Sequence, residues 1–485
     1  MITIKNVTFN YQGERYDGIE NVNLEIAPEE CVLLCGRSGC GKTTVTRLIN
    51  GLIPHFYPGD LNGGVAVNGM DVTKTPMYEI AEKAGSVFQN PRTQFFNVDT
   101  DSEIAFGVEN FALPIDQLRE RVAKATGDLH VENLMGRSIF ELSGGEKQKL
   151  AFASIYAMSP DIYILDEPSS NLDVYAIDDL RKTICLLKQQ GKTIIVAEHR
   201  LYYLKDLVDR IVYVEQGRIT GTYTSGEFLS IPVSERESMG LRTMDQKSIA
   251  IAGKKPLQTS HVLEIRDVNL RYKKQPVMRN INLCAAKSDI IGIIGKNGAG
   301  KSTFARTLCG LHKEYDGVFL WNGKEMDAKQ RLRICYMVMQ DVNYQLFSES
   351  VEKECCFGIK NPDMELAART MKELNLYEYR NRHPNTLSGG QKQRTAVAVS
   401  MICGKEILIF DEPTSGLDFD SMLQVSRLIL KLSDLGKIIF VATHDFEFLS
   451  LVCNRVVHFD SSAVKDDFTM SQENIKRLQD FFIVS

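Results

Sequence analysis

The sequence contains the same series of short motifs twice, in the same order. Corresponding residues lie 259 positions apart at Lys42 and Lys301 and 245 positions apart at Asp166 and Asp411, so only the connecting lengths differ. Self-similarity at such a long period predicts two copies of one domain. The paired segments are GRSGCGKTT (36–44) with GKNGAGKST (295–303), ELSGGEKQK (141–149) with TLSGGQKQR (386–394), and YILDEPSSNLD (163–173) with LIFDEPTSGLD (408–418).

Each copy has the pattern of an α/β domain. Short β-branched runs such as IIVAE (194–198) and IIFVAT (438–443) alternate with helical stretches, which predicts parallel strands joined by crossover helices. Residues 222–260 mix Ser, Gly, Thr and charged residues without sustained periodicity. We therefore predict domains at 1–221 and 261–485 with 222–260 as a linker.

Composition excludes several classes of protein. The 57 basic and 62 acidic residues give a net charge of −5, so no nucleic-acid partner is expected. No apolar run reaches the roughly 18 residues of a membrane span, and the N-terminus lacks a signal-peptide pattern, so we expect a chain that is neither exported nor membrane-spanning. The eleven cysteines are scattered and none is spaced as a zinc motif, which favours reduced, mostly buried thiols.

The glycine-rich segments match the phosphate-binding pattern G-x-x-x-x-G-K-[ST]. Each follows an apolar strand-like run and precedes a helix-compatible segment, the context that this motif requires. Backbone amides and the helix N-terminus attract phosphate, the lysine reaches the β- and γ-oxygens, and the next hydroxyl binds Mg²⁺. The predicted ATP-binding residues are Gly36, Ser38, Gly39, Gly41, Lys42, Thr43 and Thr44, and Gly295, Asn297, Gly298, Gly300, Lys301, Ser302 and Thr303.

Two adjacent carboxylates end an apolar strand in each copy. In a phosphate site one of them can hold Mg²⁺ while its neighbour orients and deprotonates the attacking water. We assign the metal to Asp166 and Asp411, with Thr43 and Ser302, and the water to Glu167 and Glu412.

Leu-Ser-Gly-Gly precedes a helix-competent run in each copy. The serine hydroxyl and the following amides would begin a helix that attracts anions. The residues predicted to contact nucleotide here are Ser143, Gly144 and Gly145, and Ser388, Gly389 and Gly390.

These motifs together resemble ABC ATPases, with a Walker A segment, an LSGG signature, a Walker B glutamate, a D-loop and a switch histidine in each half. The resemblance covers about residues 1–225 and 261–460. It implies two ABC-type P-loop nucleotide-binding domains in tandem, each with a mostly parallel sheet core, an antiparallel strand region and a helical subdomain. It implies ATP and Mg²⁺ as cofactors.

The resemblance also implies intramolecular, head-to-tail pairing of the two domains. The signature of one half then closes over nucleotide held by the other half. One composite site joins Lys42 to Ser388, and the other joins Lys301 to Ser143.

Further site residues follow from the resemblance alone. One tyrosine in each half stacks on adenine, one histidine contacts the γ-phosphate, and one glutamine senses γ-phosphate and Mg²⁺ while linking the site to an external partner. These residues are Tyr11 and Tyr272, His199 and His444, and Gln89 and Gln340, respectively.

Two segments that follow these glutamines, and two others, are similar to energy-coupling-factor transporters, which import vitamins, vitamin precursors or metal ions. The similarity implies a transmembrane scaffold subunit, a substrate-capturing membrane protein and a peripheral location on the cytoplasmic face of the membrane. Asp341-Val342, Phe95 and Glu146 depart from that pattern. The similar segments are 88–107, 339–358, 51–59 and 197–210.

Two other classes of ABC protein remain as alternatives. Tandem ABC proteins that act on ribosomes commonly have a long charged linker, whereas 222–260 is only mildly basic. Tandem sugar-importer ATPases usually have one degraded site, whereas every catalytic position is filled in both halves here.

Acidic residues follow each glutamine-aromatic segment, and we predict that they rim a partner groove. The hypothesis is that a partner helix covers the apolar residues while its arginine pairs with a carboxylate. The residues are Phe95, Phe96, Asp99, Asp101 and Glu103 in the first half, and Leu346, Phe347, Glu349, Glu352 and Glu354 in the second.

Overall fold

The chain forms two compact units that divide between Met244 and Asp245. The computed structural model describes residues 1–12, 18–170, 172–251 and 261–483. The division lies inside the segment predicted as a linker, whose residues 252–260 are outside the described residues. The beginning of that segment packs with the first unit, where Phe228 is buried.

The first unit contains two sheets. Its strands are β1 (Ile2–Tyr11), β2 (Gly18–Ile26), β3 (Cys31–Cys35), β4 (Gly59–Val67), β5 (Met70–Asp71), β6 (Ala84–Val87), β7 (Ile162–Asp166), β8 (Thr193–Ala197), β9 (Arg210–Glu215) and β10 (Arg218–Thr224). An antiparallel sheet has the order β2-β1-β4-β5. A six-stranded sheet has the order β10-β9-β3-β8-β7-β6 and is parallel except between β9 and β10.

Helices of the first unit cover the parallel sheet and form a separate helical layer. They are α1 (Lys42–Ile49), α2 (Leu52–His55), α3 (Met77–Lys83), α4 (Thr100–Glu109), α5 (Ile115–Asp128), α6 (Gly144–Met158), α7 (Val174–Gln189), α8 (Ser225–Ser230) and α9 (Val233–Ser238). In the helical layer, α4 and α5 both pack on α6.

The second unit repeats this topology. Its strands are β11 (His261–Tyr272), β12 (Gln275–Ala286), β13 (Ile290–Ile294), β14 (Tyr315–Trp321), β15 (Lys324–Glu325), β16 (Cys335–Val338), β17 (Ile407–Asp411), β18 (Ile438–Ala442), β19 (Arg455–Asp460) and β20 (Ala463–Thr469). They form a sheet of order β12-β11-β14-β15 and a sheet of order β20-β19-β13-β18-β17-β16. The predicted α/β class, with parallel and antiparallel strands and helices in tandem, is confirmed.

Helices of the second unit follow the same plan. They are α10 (Lys301–Leu308), α11 (Ala328–Ile334), α12 (Val351–Cys355), α13 (Met364–Glu373), α14 (Gly389–Ile402), α15 (Phe419–Asp434), α16 (Phe446–Val452) and α17 (Ile475–Phe482). Here α12 and α13 pack on α14.

The apolar patterns explain these elements. All residues of β3 and β13 are buried, as expected of parallel strands covered by helices on both faces. In α7, Ile177, Leu180, Ile184 and Leu187 are buried at helical spacing, and Asp173 caps the helix by accepting a bond from the Ala176 amide. Parallel strands end at one edge of a sheet, so the loops after β3, β7 and β8 converge there.

Candidate nucleotide sites

The loop between β3 and α1 in the first unit forms a phosphate-binding cradle. Gly41 begins α1 with φ of 107°, a backbone conformation that glycine adopts without steric cost. The buried Lys42 donates hydrogen bonds from Nζ to the carbonyls of Gly36 and Arg37, each 3.0 Å away. An ammonium group is thereby held beside the free amides of a helix N-terminus, an arrangement that attracts anions.

The loop between β13 and α10 has the same arrangement, but the third partner of its lysine is a histidine rather than the Cys40 thiol that lies 3.7 Å from Lys42 Nζ. Gly300 begins the helix with φ of 95°. Lys301 Nζ donates to the carbonyls of Gly295, at 2.6 Å, and Lys296, at 3.1 Å. Lys301 Nζ also lies 2.9 Å from Nε2 of His444, which follows β18.

The other predicted cradle residues lie on the same two loops. Ser38, Gly39, Asn297 and Gly298 are exposed at the loop tips, whereas Gly36, Thr44 and Gly295 are buried. Thr43, Ser302 and Thr303 lie in the first turns of α1 and α10 and are partly buried.

A hydroxyl at the start of α1 contacts a carboxylate at the end of β7. Thr43 Oγ1 donates to Asp166 Oδ1 at 3.3 Å. Burial and the neighbouring charge of Glu167 raise the pKa of Asp166 to about 6. In the second unit burial raises the pKa of Asp411, opposed by a hydrogen bond from Ser302. The hydroxyl and carboxylate oxygens of each pair could bind a cation. Its charge would offset the free-energy cost of burying an ionised carboxylate.

The glutamates after these aspartates have a strained backbone. Glu167 and Glu412 have φ of 46° and 51°, in the left-handed region that non-glycine residues seldom adopt. Their amides donate to the carbonyls of Ala197 and Ala442, each at 2.8 Å. These bonds to the neighbouring strand hold each glutamate at the turn, as is typical of functional positions.

In the first unit, three predicted site residues meet through Glu167. Gln89 donates from Nε2 to Glu167 Oε2 at 2.6 Å. His199 Nε2 lies 3.3 Å from Glu167 Oε1. The glutamine from the end of β6 and the histidine from the end of β8 therefore contact the same carboxylate.

In the second unit, Glu412 has a different set of neighbours. Its Oε2 accepts from Thr443 Oγ1 at 3.2 Å and from the His444 amide at 3.3 Å. His444 Nε2 is 3.6 Å from Glu412 Oε1, farther than its distance to Lys301. Gln340 is exposed.

The signature serines begin the longest helices of the helical layers. Ser143 Oγ accepts from the Glu146 amide at 3.3 Å, and Glu146 Oε2 accepts from the Ser143 amide at 2.7 Å. Ser388 and Gln391 form the same reciprocal capping box. Burial opposes ionisation of Glu146, but the Ser143 amide and Arg137, 2.8 Å away, outweigh it and lower the pKa of Glu146.

The departure at Glu146 therefore preserves local structure, because a carboxylate caps the helix as an amide does. The signature glycines lie in the first turns of α6 and α14. They are Gly144, Gly145, Gly389 and Gly390.

The two predicted adenine-stacking tyrosines have different surroundings. The hydroxyl of Tyr11 lies 3.2 Å from Thr44 Oγ1 and accepts from Arg47 at 3.0 Å. Tyr272 is 51% exposed and one ring face stacks on His312, with centroids 6.1 Å apart. The Nζ of Lys273 also lies over the Tyr272 ring, 5.9 Å from its centroid.

The role of a second glutamine in each half is not evident from sequence. Gln94 accepts from the Phe88 amide at 3.2 Å and donates to the Ser86 carbonyl at 3.1 Å. Gln345 bridges Met339 and Met337 in the same way. These side chains anchor the loops that carry Gln89 and Gln340. The sequence feature that could have indicated this role is that Gln94 and Gln345 lie at the same spacing after Gln89 and Gln340.

Another residue that sequence reasoning missed is Glu198, beside the switch histidine. Its buried carboxylate accepts from the amides of Ser169 and His199 and from the hydroxyl of Tyr203, at 3.2, 2.7 and 3.0 Å. Its place next to a predicted site residue was the only sequence signal.

The predicted acidic rim is partly wrong. Glu103 is buried and accepts from the amides of Phe96 and Asn97, at 3.0 and 2.8 Å. Glu354 is buried and accepts from the amides of Phe347 and Ser348, at 2.8 and 2.6 Å. These two carboxylates fold the loop that carries the exposed aromatic residue and are not available to a partner arginine.

Other acids of the two segments also have internal partners. Asp99 caps α4 through the Ser102 amide at 2.8 Å, and Asp101 accepts from the Gly136 amide at 2.5 Å. Glu349 pairs with Lys353. Glu352 is partly buried.

All eleven cysteines are free thiols, seven of them buried. The described residues contain no cluster of three or more His, Cys, Asp or Glu side chains that could hold a metal ion. Across the same part of the chain, no helix has both the length and the apolar character needed to cross a bilayer.

Comparison with known proteins agrees with this geometry. The ABC transporter family model matches residues 19–170 and 278–415. Two Treponema denticola proteins described as ABC transporter ATP-binding proteins are similar over their whole lengths. One is 47% identical over 99% of each chain, and the other is 37% identical over 97% of each chain.

A solved structure shows the same fold at low sequence identity. It is a model of ribosome-bound archaeal Pelota and ABCE1, with a TM-score of 0.72, 20% identity, and coverage of 97% of this chain and 79% of that chain. The repeated motifs, the two P-loop cradles and the family match lead to one conclusion: the chain belongs to the ABC transporter family and is a tandem ATPase whose two domains bind ATP.

Proposed function

We propose that this ATPase powers a membrane transporter of the energy-coupling-factor type, which imports a vitamin, a vitamin precursor or a metal ion. The observation that carries the proposal is a phenylalanine pair in each unit, after the Q-loop glutamine, in which at least one ring is exposed. The phenylalanine pairs are Phe96 with Phe106 and Phe347 with Phe357.

The phenylalanine pairs form apolar surface patches. Phe96 is 75% exposed and stacks on Phe106 with ring centroids 5.0 Å apart. Phe347 and Phe357 are 62% and 63% exposed and meet edge to face at 5.9 Å. Exposed aromatic groups of this kind are typical of interface cores. The partner is an apolar helix face of a transmembrane scaffold subunit, which works with a substrate-capturing membrane protein.

In the first unit, the patch is joined to a catalytic group by a short segment of loop. The Phe96 amide is held by Glu103, and the same loop contains Gln89, whose amide contacts Glu167. Movement of a partner helix on the patch would shift Gln89 relative to the catalytic carboxylate. Such a connection supports coupling of hydrolysis to motion of a peripheral membrane complex.

Hydrolysis occurs at two composite sites formed head to tail by the two domains. In each, the P-loop lysine and the signature serine of the opposite half bind the phosphates, so Lys42 works with Ser388, and Lys301 with Ser143. Both serines are exposed at the N-termini of long helices, which supports contact with a phosphate. The Walker B glutamates position water, the histidines contact the γ-phosphate, and the tyrosines contact adenine.

The oxygen donors at these sites fit Mg²⁺. Thr43 and Asp166, with Gln89, would hold the ion in the first site. Their counterparts are Ser302, Asp411 and Gln340. A divalent ion neutralises charge on the β- and γ-phosphates. The protein groups place the attacking water.

Two alternatives would use the same ATPase differently. Action on ribosomes is compatible with the fold, but the solved structure at 20% identity supports the fold alone. The ATPase of another importer class, such as a sugar importer, would also fit the description of the Treponema denticola relatives as ABC transporter ATP-binding proteins. Those relatives are described as transporter proteins, which supports a membrane partner.

The test is recovery of the protein with membrane partners after solubilisation in mild detergent. Phe96→Ala/Phe106→Ala and Phe347→Ala/Phe357→Ala should each lose the membrane complex while the purified chain keeps its ATPase activity. Tyr78→Ala and Leu435→Ala remove exposed apolar groups elsewhere and should keep the complex. Co-purification with ribosomes, or unchanged recovery of membrane partners in both double variants, would contradict the proposal.

A further inference from the structure

The residue just before the switch histidine differs between the two units. It is Glu198 in the first unit and Thr443 in the second, and each directly follows the last residue of a parallel strand, β8 or β18. Glu198 is 2% exposed and Thr443 is fully buried. A carboxylate in the interior is costly unless hydrogen-bond donors surround it, so the contacts of Glu198 show what it holds together.

Glu198 connects two loops of the first nucleotide site. Its Oε1 accepts from the His199 amide at 2.7 Å, and its Oε2 accepts from the Ser169 amide at 3.2 Å. Ser169 lies in the D-loop, shortly after the Walker B residues Asp166 and Glu167. One oxygen of the carboxylate therefore holds the backbone of the switch histidine, and the other holds the D-loop.

Arg200 supports the same connection. It is 8% exposed, and its amide donates to Glu198 Oε1 at 3.2 Å. Its Nη1 donates to the carbonyls of Ser169, at 3.4 Å, and Leu172, at 3.3 Å. Because Ser169 is held through both its amide and its carbonyl, the D-loop cannot move without straining bonds to the segment of the switch histidine.

The second unit has different groups at these positions. Asp445, at the position of Arg200, accepts at 2.8 Å from the hydroxyl of Thr414, at the position of Ser169. Thr443 donates to the catalytic carboxylate instead, at 3.2 Å. In this unit the side chain before the histidine therefore contacts the Walker B glutamate, and the residue after the histidine contacts the D-loop side.

The amide of the histidine also has a different acceptor in each unit. His199 donates its amide to Glu198, whereas His444 donates its amide to Glu412 at 3.3 Å. In the first unit the imidazole contacts Glu167, at 3.3 Å. In the second unit it lies nearer to the P-loop lysine, at 2.9 Å, than to the Walker B glutamate, at 3.6 Å. The position of the imidazole thus changes together with the acceptor of the amide.

We propose that Glu198 is a positioning residue of the first site. By accepting from the amides of both His199 and Ser169, it holds the imidazole beside Glu167 and makes hydrolysis at this site depend on the position of the D-loop. Threonine at the same position gives the second site its lysine-bound histidine. The inference rests on the proposed roles of Glu167 and His199 in hydrolysis.

The first experiment measures single-turnover hydrolysis by the first site in a Glu412→Gln background, where the second site is slow. Glu198→Gln keeps one acceptor oxygen but turns an NH₂ group toward the other amide, so only one of the two loops stays attached. The rate constant at saturating ATP should fall by up to about 100-fold, the effect of displacing a catalytic group by about 1 Å. The ATP concentration that gives half the maximal rate should change little, because the P-loop is unaltered.

Tyr203→Phe is the matched control in the same background. The Tyr203 hydroxyl donates to Glu198 Oε2 at 3.0 Å, so the variant removes one bond from the buried carboxylate without releasing either loop. It should lower the midpoint of thermal unfolding, as Glu198→Gln also does, but keep the rate constant for hydrolysis. An equal fall in that rate constant for both variants would show that Glu198 serves stability alone and would overturn the proposal.

A second variant tests the proposal even if Glu198→Gln fails to fold. Glu198→Thr/Arg200→Asp introduces the second unit's residues beside Ser169, whose hydroxyl can donate to the new carboxylate. The imidazole should then contact the first P-loop lysine. ADP binding in a Lys301→Ala background should weaken by up to about fivefold, the factor for one neutral hydrogen bond. Adding His199→Ala should restore the ADP affinity.

His199→Ala in the Glu412→Gln background separates this proposal from the assignment on which it rests. If His199→Ala does not slow hydrolysis, the proposed role of the histidine is wrong, and the inference is wrong with it. If His199→Ala slows hydrolysis but Glu198→Gln does not, or if Glu198→Thr/Arg200→Asp leaves ADP binding unchanged, Glu198 does not position the histidine and the inference alone is overturned.

Discussion

Lys301 and His444 are hydrogen bonded, with Nζ of the lysine 2.9 Å from Nε2 of the histidine. The ammonium group donates, so the imidazole accepts at Nε2 and carries its proton at Nδ1. The corresponding histidine of the first unit, His199, instead lies 3.3 Å from Glu167. Two sites with the same residue types therefore differ in which group the histidine contacts.

This difference predicts unequal binding of ADP. In a Lys42→Ala background, where the second P-loop retains its lysine, His444→Ala should tighten ADP binding up to about fivefold. The reason is that Lys301 in this variant has no hydrogen bond to an imidazole that it must give up when it binds the phosphate. In the reciprocal Lys301→Ala background, His199→Ala should leave ADP binding unchanged. Fluorescent ADP titration measures both, and an equal effect in the two backgrounds would contradict the assigned difference.

Replacing either Walker B glutamate should slow chemistry without weakening ATP binding. Glu167→Gln and Glu412→Gln keep the lysine cradle and the aspartate, and lose the carboxylate that orients water. Hydrolysis at the altered site should fall by about 10²- to 10³-fold. Single-turnover hydrolysis and equilibrium ATP binding are the measurements. Loss of ATP affinity in Glu412→Gln would show that the glutamate serves structure or binding instead.

Buried Asp166 should make the metal-free, nucleotide-free protein less stable above pH 6. Its pKa is raised from 3.8 to about 6, so the folded state binds the proton more tightly than the unfolded state. This contribution is present below pH 4 and is lost as the pH rises from about 4 to about 6. Asp166→Asn should therefore raise the free energy of unfolding by about 1–3 kcal/mol at pH 8, and by less at pH 5.

Urea denaturation at the two pH values checks this expectation. Asp206→Asn alters an exposed carboxylate and serves as the control. Mg²⁺ should stabilise the wild type more than Asp166→Asn. An asparagine variant that is less stable at pH 8 would show that the carboxylate is compensated in the fold.

The helix cap at Glu146 should tolerate the amide found in the second half. Glu146→Gln keeps both bonds of the capping box and loses only the ion pair with Arg137, so the cost should be below about 1 kcal/mol. Glu146→Ala also removes the bond that the glutamate side chain accepts from the Ser143 amide, while the serine cap stays, and should cost about 1 kcal/mol more than Glu146→Gln. Thermal unfolding compares them, with Gln391→Glu as the matched change. If Glu146→Gln and Glu146→Ala destabilise the protein equally, the contribution of Glu146 to stability comes from its ion pair with Arg137 and not from the helix cap.

The α/β class and the tandem repeat could be predicted from sequence because they depend on local patterns. The wholly apolar runs of β3 and β13 predict buried parallel strands, and glycine followed by Lys-Thr or Lys-Ser predicts a loop that starts a helix. The predicted partner pairing of Glu103 and Glu354 was wrong because acidity alone does not reveal burial. Both carboxylates bind amides of a loop seven residues earlier.

The sequence by itself determined that each half places a lysine, two carboxylates and a histidine at strand ends, since parallel strands bring their carboxyl ends to one edge. Only the tertiary structure decided that His444 contacts Lys301 while His199 contacts Glu167. His444 Nε2 lies 2.9 Å from Lys301 and 3.6 Å from Glu412, and such small differences in distance between side chains that are far apart in sequence are set by packing of the whole domain.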